Sequence, residues 1–153
     1  MSAPIAVFPG SFDPVTVGHF SIVERALPLF ERIYIGLGRN TGKKSMFPLE
    51  KRMEWLEVTF KDMAQVEVVS FEGLTVDLCR KLHATFILRG LRNSTDHGYE
   101  RSIALMNMQI GKVDTLFLPS APEHAHVSST IVREMIANNA SVEAFVPPGV
   151  RIA

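Results

Sequence analysis

Apolar positions along this chain follow two rhythms that take turns from one end to the other. Short apolar runs occur at residues 4–8, in "RIYIGLG" (32–38), "VEVVSF" (66–71), "ATFILRG" (84–90) and "TLFL" (115–118). Runs of that length predict strands, with "RIYIGLG" a buried one and "ATFILRG" rich in β-favouring residues. Between them the apolar residues return at helical spacing. Phe20, Ile22, Val23, Ala26 and Leu27 do so in "GHFSIVERALPLF", where Pro28 predicts a kink or stop. Further helices are predicted in "PLEKRMEWLEVTF" with Pro48 as first residue, in "LTVDLCRKL", over 96–110, and in "SSTIVREMIANN". In the helix over 96–110, Tyr99, Ile103, Met106 and Ile110 share one stripe. Strands alternating with helices call for a parallel sheet joined by right-handed crossovers, with helices on both faces. No repeat, linker or low-complexity tract interrupts the pattern. The expectation is a single α/β domain over residues 1–153 with a five-stranded parallel sheet.

Composition narrows the possibilities. A chain of 153 residues fits one domain, and 46% hydrophobic with 21% charged residues is ordinary for a globular protein. Lys+Arg and Asp+Glu each number 16, and a neutral chain does not suit a dedicated nucleic-acid binder. No apolar run approaches membrane-spanning length. The single cysteine, Cys79, cannot form an internal disulfide and is expected on the buried face of a helix. The opening "MSAPIAVF" has no basic segment followed by a long apolar core. The expected location is the cytoplasm, without nucleic-acid or membrane partners.

Chemistry gathers where the strands end. In open parallel sheets, ligands bind beyond the carboxyl ends of the strands, near the point where strand order reverses. The segments leaving those ends are "PGSFDPVTVGH", "GRNTGKK", "RGLRN" and "PSAPEHAHVSST". They carry Arg39, Lys43, Lys44, Arg89 and Arg92 to one rim, which suits a substrate bearing several phosphates. In the first of them Thr16 can cap a helix, which puts His19 third in that helix, where a reciprocal capping box would have Glu or Gln. A histidine there leans back toward the helix N-terminus, where amide N–H groups and the positive dipole end already favour an anion. Glu123, His124 and His126 also raise a metal-site reading, which two histidines and one carboxylate in a loop rarely fulfil.

Thr16-Val17-Gly18-His19 resembles the T-x-G-H form of the nucleotidyltransferase signature. "PGSFDPVTVGH" is similar to the opening of the phosphopantetheine adenylyltransferase family, P-G-[ST]-F-D-P-x-T-x-G-H. "KKSMF" with "LEKR", "ILRGLR", "YE" ahead of "MN", and "SSTIVRE" match that family in order and spacing. The resemblance implies a Rossmann-like fold, a homohexamer, and reversible transfer of AMP from ATP to 4'-phosphopantetheine. Dephospho-coenzyme A and pyrophosphate are the implied products. It also implies Mg²⁺ held mainly by ATP phosphates and water, and coenzyme A as a feedback ligand.

Residue by residue, the resemblance implies that His19, Lys43, Arg92 and Ser129 carry the catalysis. The acceptor would be held by Ser11, Lys43, Thr75, Arg89, Met106 and Asn107. ATP would meet Ser11, Phe12, His19, Gly90, Leu91, Arg92, Glu100 and the run His124, Ala125, His126, Val127, Ser128, Ser129, Thr130. Some positions depart from the family's habit. Ser11 stands for Thr, Val17 for a polar residue, Thr75 for an apolar one, and His124 and His126 for aromatics. Nicotinamide-nucleotide adenylyltransferase and glycerol-phosphate cytidylyltransferase are alternatives within the superfamily. A non-catalytic nucleotide-binding module is the alternative outside it.

Overall fold

The five apolar runs become five strands: β1 (Ile5–Gly10), β2 (Arg32–Gly38), β3 (Val66–Phe71), β4 (Phe86–Leu91) and β5 (Asp114–Pro119). They belong to a computed structural model that describes residues 3–39, 44–92 and 94–152. The helical runs become α1 (Val17–Ala26), α2 (Leu49–Phe60), α3 (Thr75–Leu82), α4 (Ser94–Gly111) and α5 (Ser129–Ala137). Tight 3₁₀ turns follow at Leu27–Leu29, Pro122–His124 and Glu143–Phe145, the first carrying Pro28 where the stop was expected. Pro48 is the N-cap of α2 rather than its first residue. It has no N–H, so it suits a place just ahead of the helical bonds as well as the first turn.

Every ladder is parallel, and the strand order is β3-β2-β1-β4-β5. The chain therefore builds outward from β1 on one side, returns, and builds outward through β4 on the other. The reversal lies between β1 and β4, and the ladders show what it does to the sheet. β1 and β2 stay paired from Ile5↔Arg32 to Gly10↔Leu37, whereas β1 and β4 pair only at Ala6↔Phe86 and Val7↔Ile87. Beyond Val7 the two central strands part and open a crevice at the carboxyl edge.

Both faces of the sheet are covered. On one, Ala6, Phe8, Ile33, Ile35, Leu37 and Leu88 pack with Ile22, Val23 and Ala26 of α1, Trp55, Leu56 and Phe60 of α2, and Val132 of α5. On the other, Val7 and Ile87 pack with Val76, Leu78 and Cys79 of α3. Cys79 is fully buried, and burial pushes its thiol up to about 11, which keeps it protonated and inert at neutral pH.

Helix α4 differs from its sequence pattern. Tyr99, Ile103, Met106 and Ile110, expected as one stripe, are 73%, 39%, 57% and 50% exposed. From Arg101 to Gly111 the residues withdrawn from solvent are Ala104, Asn107 and Gly111, and with Glu100 they form the i, i+4, i+7, i+11 stripe of a helix. This small and polar stripe faces the sheet because it borders a cavity there instead of filling it. At its end a Cβ on Gly111 would lie 2.6 Å from Cβ of Val76, so the missing side chain lets α3 and α4 approach.

Candidate active site

The segment leaving β1 sets the floor of the crevice. A Cβ on Gly10 would come within 3.0 Å of the Phe12 ring, and Phe12 holds a left-handed backbone at φ 42°. This turn folds the Phe12 ring back against Phe8 and the imidazole of His19, at centroid distances of 5.5 and 4.8 Å. Buried Asp13 then accepts the backbone N–H groups of Met46 and Phe47 at 2.8 and 3.0 Å. Arg52, also buried, donates to the carbonyls of Phe47 and Ser11. Together they tie the β1–α1 segment to the chain just ahead of α2.

At the start of α1 the histidine does what a capping carboxylate would do. Thr16 Oγ1 accepts the His19 N–H at 3.3 Å, and His19 Nδ1 accepts the Thr16 N–H at 3.0 Å, which closes a reciprocal box. An Nδ1 that accepts carries no proton, so the neutral ring carries it on Nε2, on the side away from the cap. Burial first, then the charges of Arg89 and Arg92, bring the His19 pKa down to about 3. At neutral pH the side chain is therefore an uncharged donor with a fixed tautomer.

Two compartments meet above the parted strands. The first, about 290 Å³, lies over α1 and the start of α5. Of the residues expected to meet ATP, His19, Ser11, Phe12, Gly90, Arg92, Val127, Ser128, Ser129 and Thr130 line it, and so do Ser120 and Arg133. Ser128 is the N-cap of α5, accepting the Ile131 N–H at 3.2 Å. Helical geometry leaves the N–H groups of Ser129 and Thr130 without an intrahelical acceptor, and both residues border the cleft. A Cβ on Gly90 would sit 3.1 Å from Ile22, so glycine allows α1 to press against the strand there.

The second compartment, about 360 Å³, lies on the other face, roofed by α4 and closed by the start of α3. Its walls include Gly38, Phe71, Thr75, Ile87, Ile103, Ala104, Asn107 and Thr115. The two compartments share Pro9, Gly10, Ser11, Arg89 and Glu100. Glu100 takes the Arg89 guanidinium on both oxygens, with Nη2 to Oε1 at 2.6 Å and Nε to each oxygen at 3.2 Å. Arg89 Nη1 reaches across the split to the Pro9 carbonyl at 2.8 Å. The cation is thus held rigidly at the junction, with N–H groups remaining for an anion.

Other expected residues stand elsewhere. Lys43 lies outside the described residues, as do Asn40, Thr41 and Gly42 of its loop. Met106 is exposed on the outer side of α4, away from the lining to which Asn107 belongs. Leu91 is paired to Pro119 in the sheet, and neither it nor His124, Ala125 and His126 borders the first compartment. The His126 ring approaches the Phe145 ring edge-on at 6.2 Å. Among the described residues no group of three or more His, Cys, Asp or Glu could hold a metal ion, and no helix is long and apolar enough to cross a membrane.

Arg133 was missed by the sequence reading, although it stands in the matched "SSTIVRE" run. Its Nη1 donates to the Asp13 carbonyl at 2.8 Å and its Nη2 to Thr130 Oγ1 at 3.2 Å. It thereby adds a cation to the wall around the α5 N-terminus. Its place one helical turn after Thr130 was the available signal.

Comparison with known proteins follows the same outline. A cytidylyltransferase-like family model matches residues 7–135. The chain is 50% identical over 147 residues to phosphopantetheine adenylyltransferase of Flavobacterium psychrophilum, covering 96% of this chain and 97% of the relative. It is 48% identical over 146 residues to phosphopantetheine adenylyltransferase of Christiangramia forsetii, covering 95% and 97%. In three dimensions it is similar to a crystal structure from Vibrio parahaemolyticus assigned as a nicotinate-nucleotide adenylyltransferase. That TM-score is 0.72 at 18% identity, over 97% of this chain and 89% of the other, a likeness of fold.

Proposed function

The chain belongs to the phosphopantetheine adenylyltransferase family, and from that premise we infer how its two compartments perform the reaction. It transfers AMP reversibly from ATP to 4'-phosphopantetheine, giving dephospho-coenzyme A and pyrophosphate. The observation that carries the residue assignments is the shared junction. Ser11, Arg89 and Glu100 border both compartments, so a nucleotide in one and an acceptor in the other meet there, phosphate to phosphate.

The acceptor phosphate is already an oxyanion, so no base need remove a proton. One of its oxygens forms a bond to the α-phosphorus of ATP as the bond to the bridging oxygen of the β-phosphate breaks, and pyrophosphate leaves with that electron pair. The barrier lies in bringing two anions together in line and in stabilising the charge that shifts onto the leaving group. His19 donates from Nε2 to an α-phosphate oxygen, its ring oriented by the Thr16 N–H. Arg89 and Ser11 hold the acceptor phosphate at the split, and Arg92 and Arg133 balance the triphosphate. The N–H groups of Ser129 and Thr130 take the β- and γ-phosphates at the helix N-terminus. Lys43 is assigned to the incoming phosphate by the family resemblance.

Mg²⁺ would be brought by ATP. The Asp13 carboxylate is committed to two backbone amides and Glu100 to Arg89, so the fitting ligands are phosphate oxygens and water. When bound, the ion neutralises charge on the departing pyrophosphate. The same reading places the protein in the cytoplasm, as a homohexamer subject to feedback by coenzyme A. The exposed apolar residues of α4 support self-association. Light scattering should then return six times the 17.0 kDa chain mass.

The deciding experiment offers ATP and Mg²⁺ with 4'-phosphopantetheine, nicotinamide mononucleotide or glycerol phosphate, and reads pyrophosphate release. Release with 4'-phosphopantetheine alone is expected. Release with nicotinamide mononucleotide alone would overturn the acceptor.

A further inference from the structure

We propose that Thr115 is a specificity-determining residue for the acceptor, its hydroxyl serving as a hydrogen-bond partner for the amide-bearing arm that enters the second compartment. The inference rests on the acceptor reading above and deepens it.

Thr115 stands on β5, paired with Ile87 of β4, and both line the compartment. Its Oγ1 is buried and has no hydrogen-bond partner among the described residues. A buried hydroxyl without a partner loses its water and gains nothing in return, and folded proteins seldom keep one. The surroundings make it stranger still. Ile87, Ile103 and Phe71 form an apolar wall in which valine, of the same shape and equally suited to a strand, would carry no such penalty. A partner that arrives with the ligand resolves this.

The placement also suits an arm anchored by its phosphate. Arg89 is two residues beyond Ile87 on β4, and β5 is the neighbouring strand, so Thr115 lies about 8 Å behind Arg89, from a rise of roughly 3.3 Å per residue and a strand spacing of about 4.8 Å. An acceptor pinned at Arg89 and running inward beneath α4 therefore passes Thr115 a few bonds from its phosphate, where phosphopantetheine carries a hydroxyl and its first amide. One χ1 step moves a threonine hydroxyl between staggered positions, enough to turn Oγ1 toward the compartment. Thr75 and Asn107 border the same space. The wall thus combines apolar surface with a few placed polar groups, the usual make-up of a pocket that orients an apolar chain bearing amides.

The test compares the wild type with Thr115→Val and Thr115→Ser. Each is given 4'-phosphopantetheine and a shortened phosphorylated acceptor that ends before the first hydroxyl and amide. Thr115→Val is expected to raise KM for 4'-phosphopantetheine about three- to tenfold, the worth of one neutral hydrogen bond. KM for ATP and for the shortened acceptor should stay unchanged, Thr115→Ser should restore the wild-type value, and the melting temperature of Thr115→Val should hold or rise. Unchanged KM for 4'-phosphopantetheine in Thr115→Val would overturn the proposal while leaving the reaction intact. So would an equal rise for both acceptors, or a fall in melting temperature, since either would assign the hydroxyl a structural role. A wild-type enzyme that ignores 4'-phosphopantetheine and adenylylates another acceptor would overturn the reading beneath it and the proposal with it.

Discussion

In the proposed mechanism His19 serves the fold and the reaction through two different atoms. Nδ1 closes the capping box at 3.0 Å from the Thr16 N–H, and this bond determines which nitrogen is left as donor. Glutamine can also close such a box, through its carbonyl oxygen, but cannot place an imidazole N–H in the cleft. His19→Gln should therefore fold near wild-type stability and lose roughly 10²-fold in kcat, the scale for one transition-state donor. KM for ATP should change little. His19→Ala should show the same kinetic loss and also about 1 kcal/mol of destabilisation from the missing cap. Comparable losses in kcat and ATP affinity would assign the histidine to ground-state binding instead. The imidazole also predicts a pH dependence. Its pKa is about 3 in the folded chain against an ordinary 6.5, so below that value the unfolded chain binds a proton that the folded one refuses. Stability due to His19 is complete above pH 6.5 and is lost as pH falls toward 3. Urea titrations at pH 7 and pH 4.5 should show a larger loss for the wild type than for His19→Gln, and equal losses would remove the linkage.

At the scale of elements, α4 borders the proposed acceptor compartment with the stripe that looks least like a core. Glu100 holds Arg89, Ala104 and Asn107 line the compartment, and Gly111 admits Val76, all on one side of the helix. Gly111→Ala would put its Cβ at 2.6 Å from that of Val76 and should cost about 1–3 kcal/mol by overpacking. The added Val76→Ala should recover much of it. A denaturation cycle on the single and double variants checks this, and additive losses would mean that the two residues do not couple. The same helix marks where sequence pattern stops being informative. β2 lies where its apolar run lies, because a buried strand must be apolar on both sides, and the edge strand β3 keeps enough apolar residues on its half-buried positions to be marked as well. In α4 most of the apolar stripe faces outward, with Ile103 alone of its four residues reaching the compartment, and the inward stripe of Glu100, Ala104, Asn107 and Gly111 is small or polar because it borders a cavity. Periodicity registers a stripe without saying which side it faces. His19 escaped in part for a related reason: its place in the capping box was legible, but that a histidine could close the box required the geometry of Nδ1. The split between β1 and β4 was legible only as a topological expectation, because no local pattern records where a ladder ends.

For the whole molecule, that split gives each face of the sheet its own compartment. One compartment belongs to the α1 and α5 face and the other to the α3 and α4 face, and Arg89 reaches over the edge between them; in the function proposed above, the first takes the nucleotide and the second the acceptor. Each ligand alone should therefore stabilise the protein, because each binds the folded chain and not the unfolded one. At a hundredfold excess over its Kd, a ligand adds about 2.7 kcal/mol, which for a chain of this size corresponds to roughly 5–10 °C in Tm. The variants should sort by face. Arg92→Ala should reduce the shift produced by ATP and leave that of 4'-phosphopantetheine, whereas Asn107→Ala should do the reverse. Arg89→Ala should reduce both, since its guanidinium borders both compartments and in the proposed mechanism meets both anions. Glu100→Gln should act in the same direction as Arg89→Ala and more weakly, because an amide accepts through one oxygen where the carboxylate uses two. Thermal shifts measured with each ligand separately would expose any other arrangement. If Asn107→Ala weakened ATP as much as it weakened the acceptor, the two compartments would be one site, and the division of the sheet by its strand order would have no functional meaning.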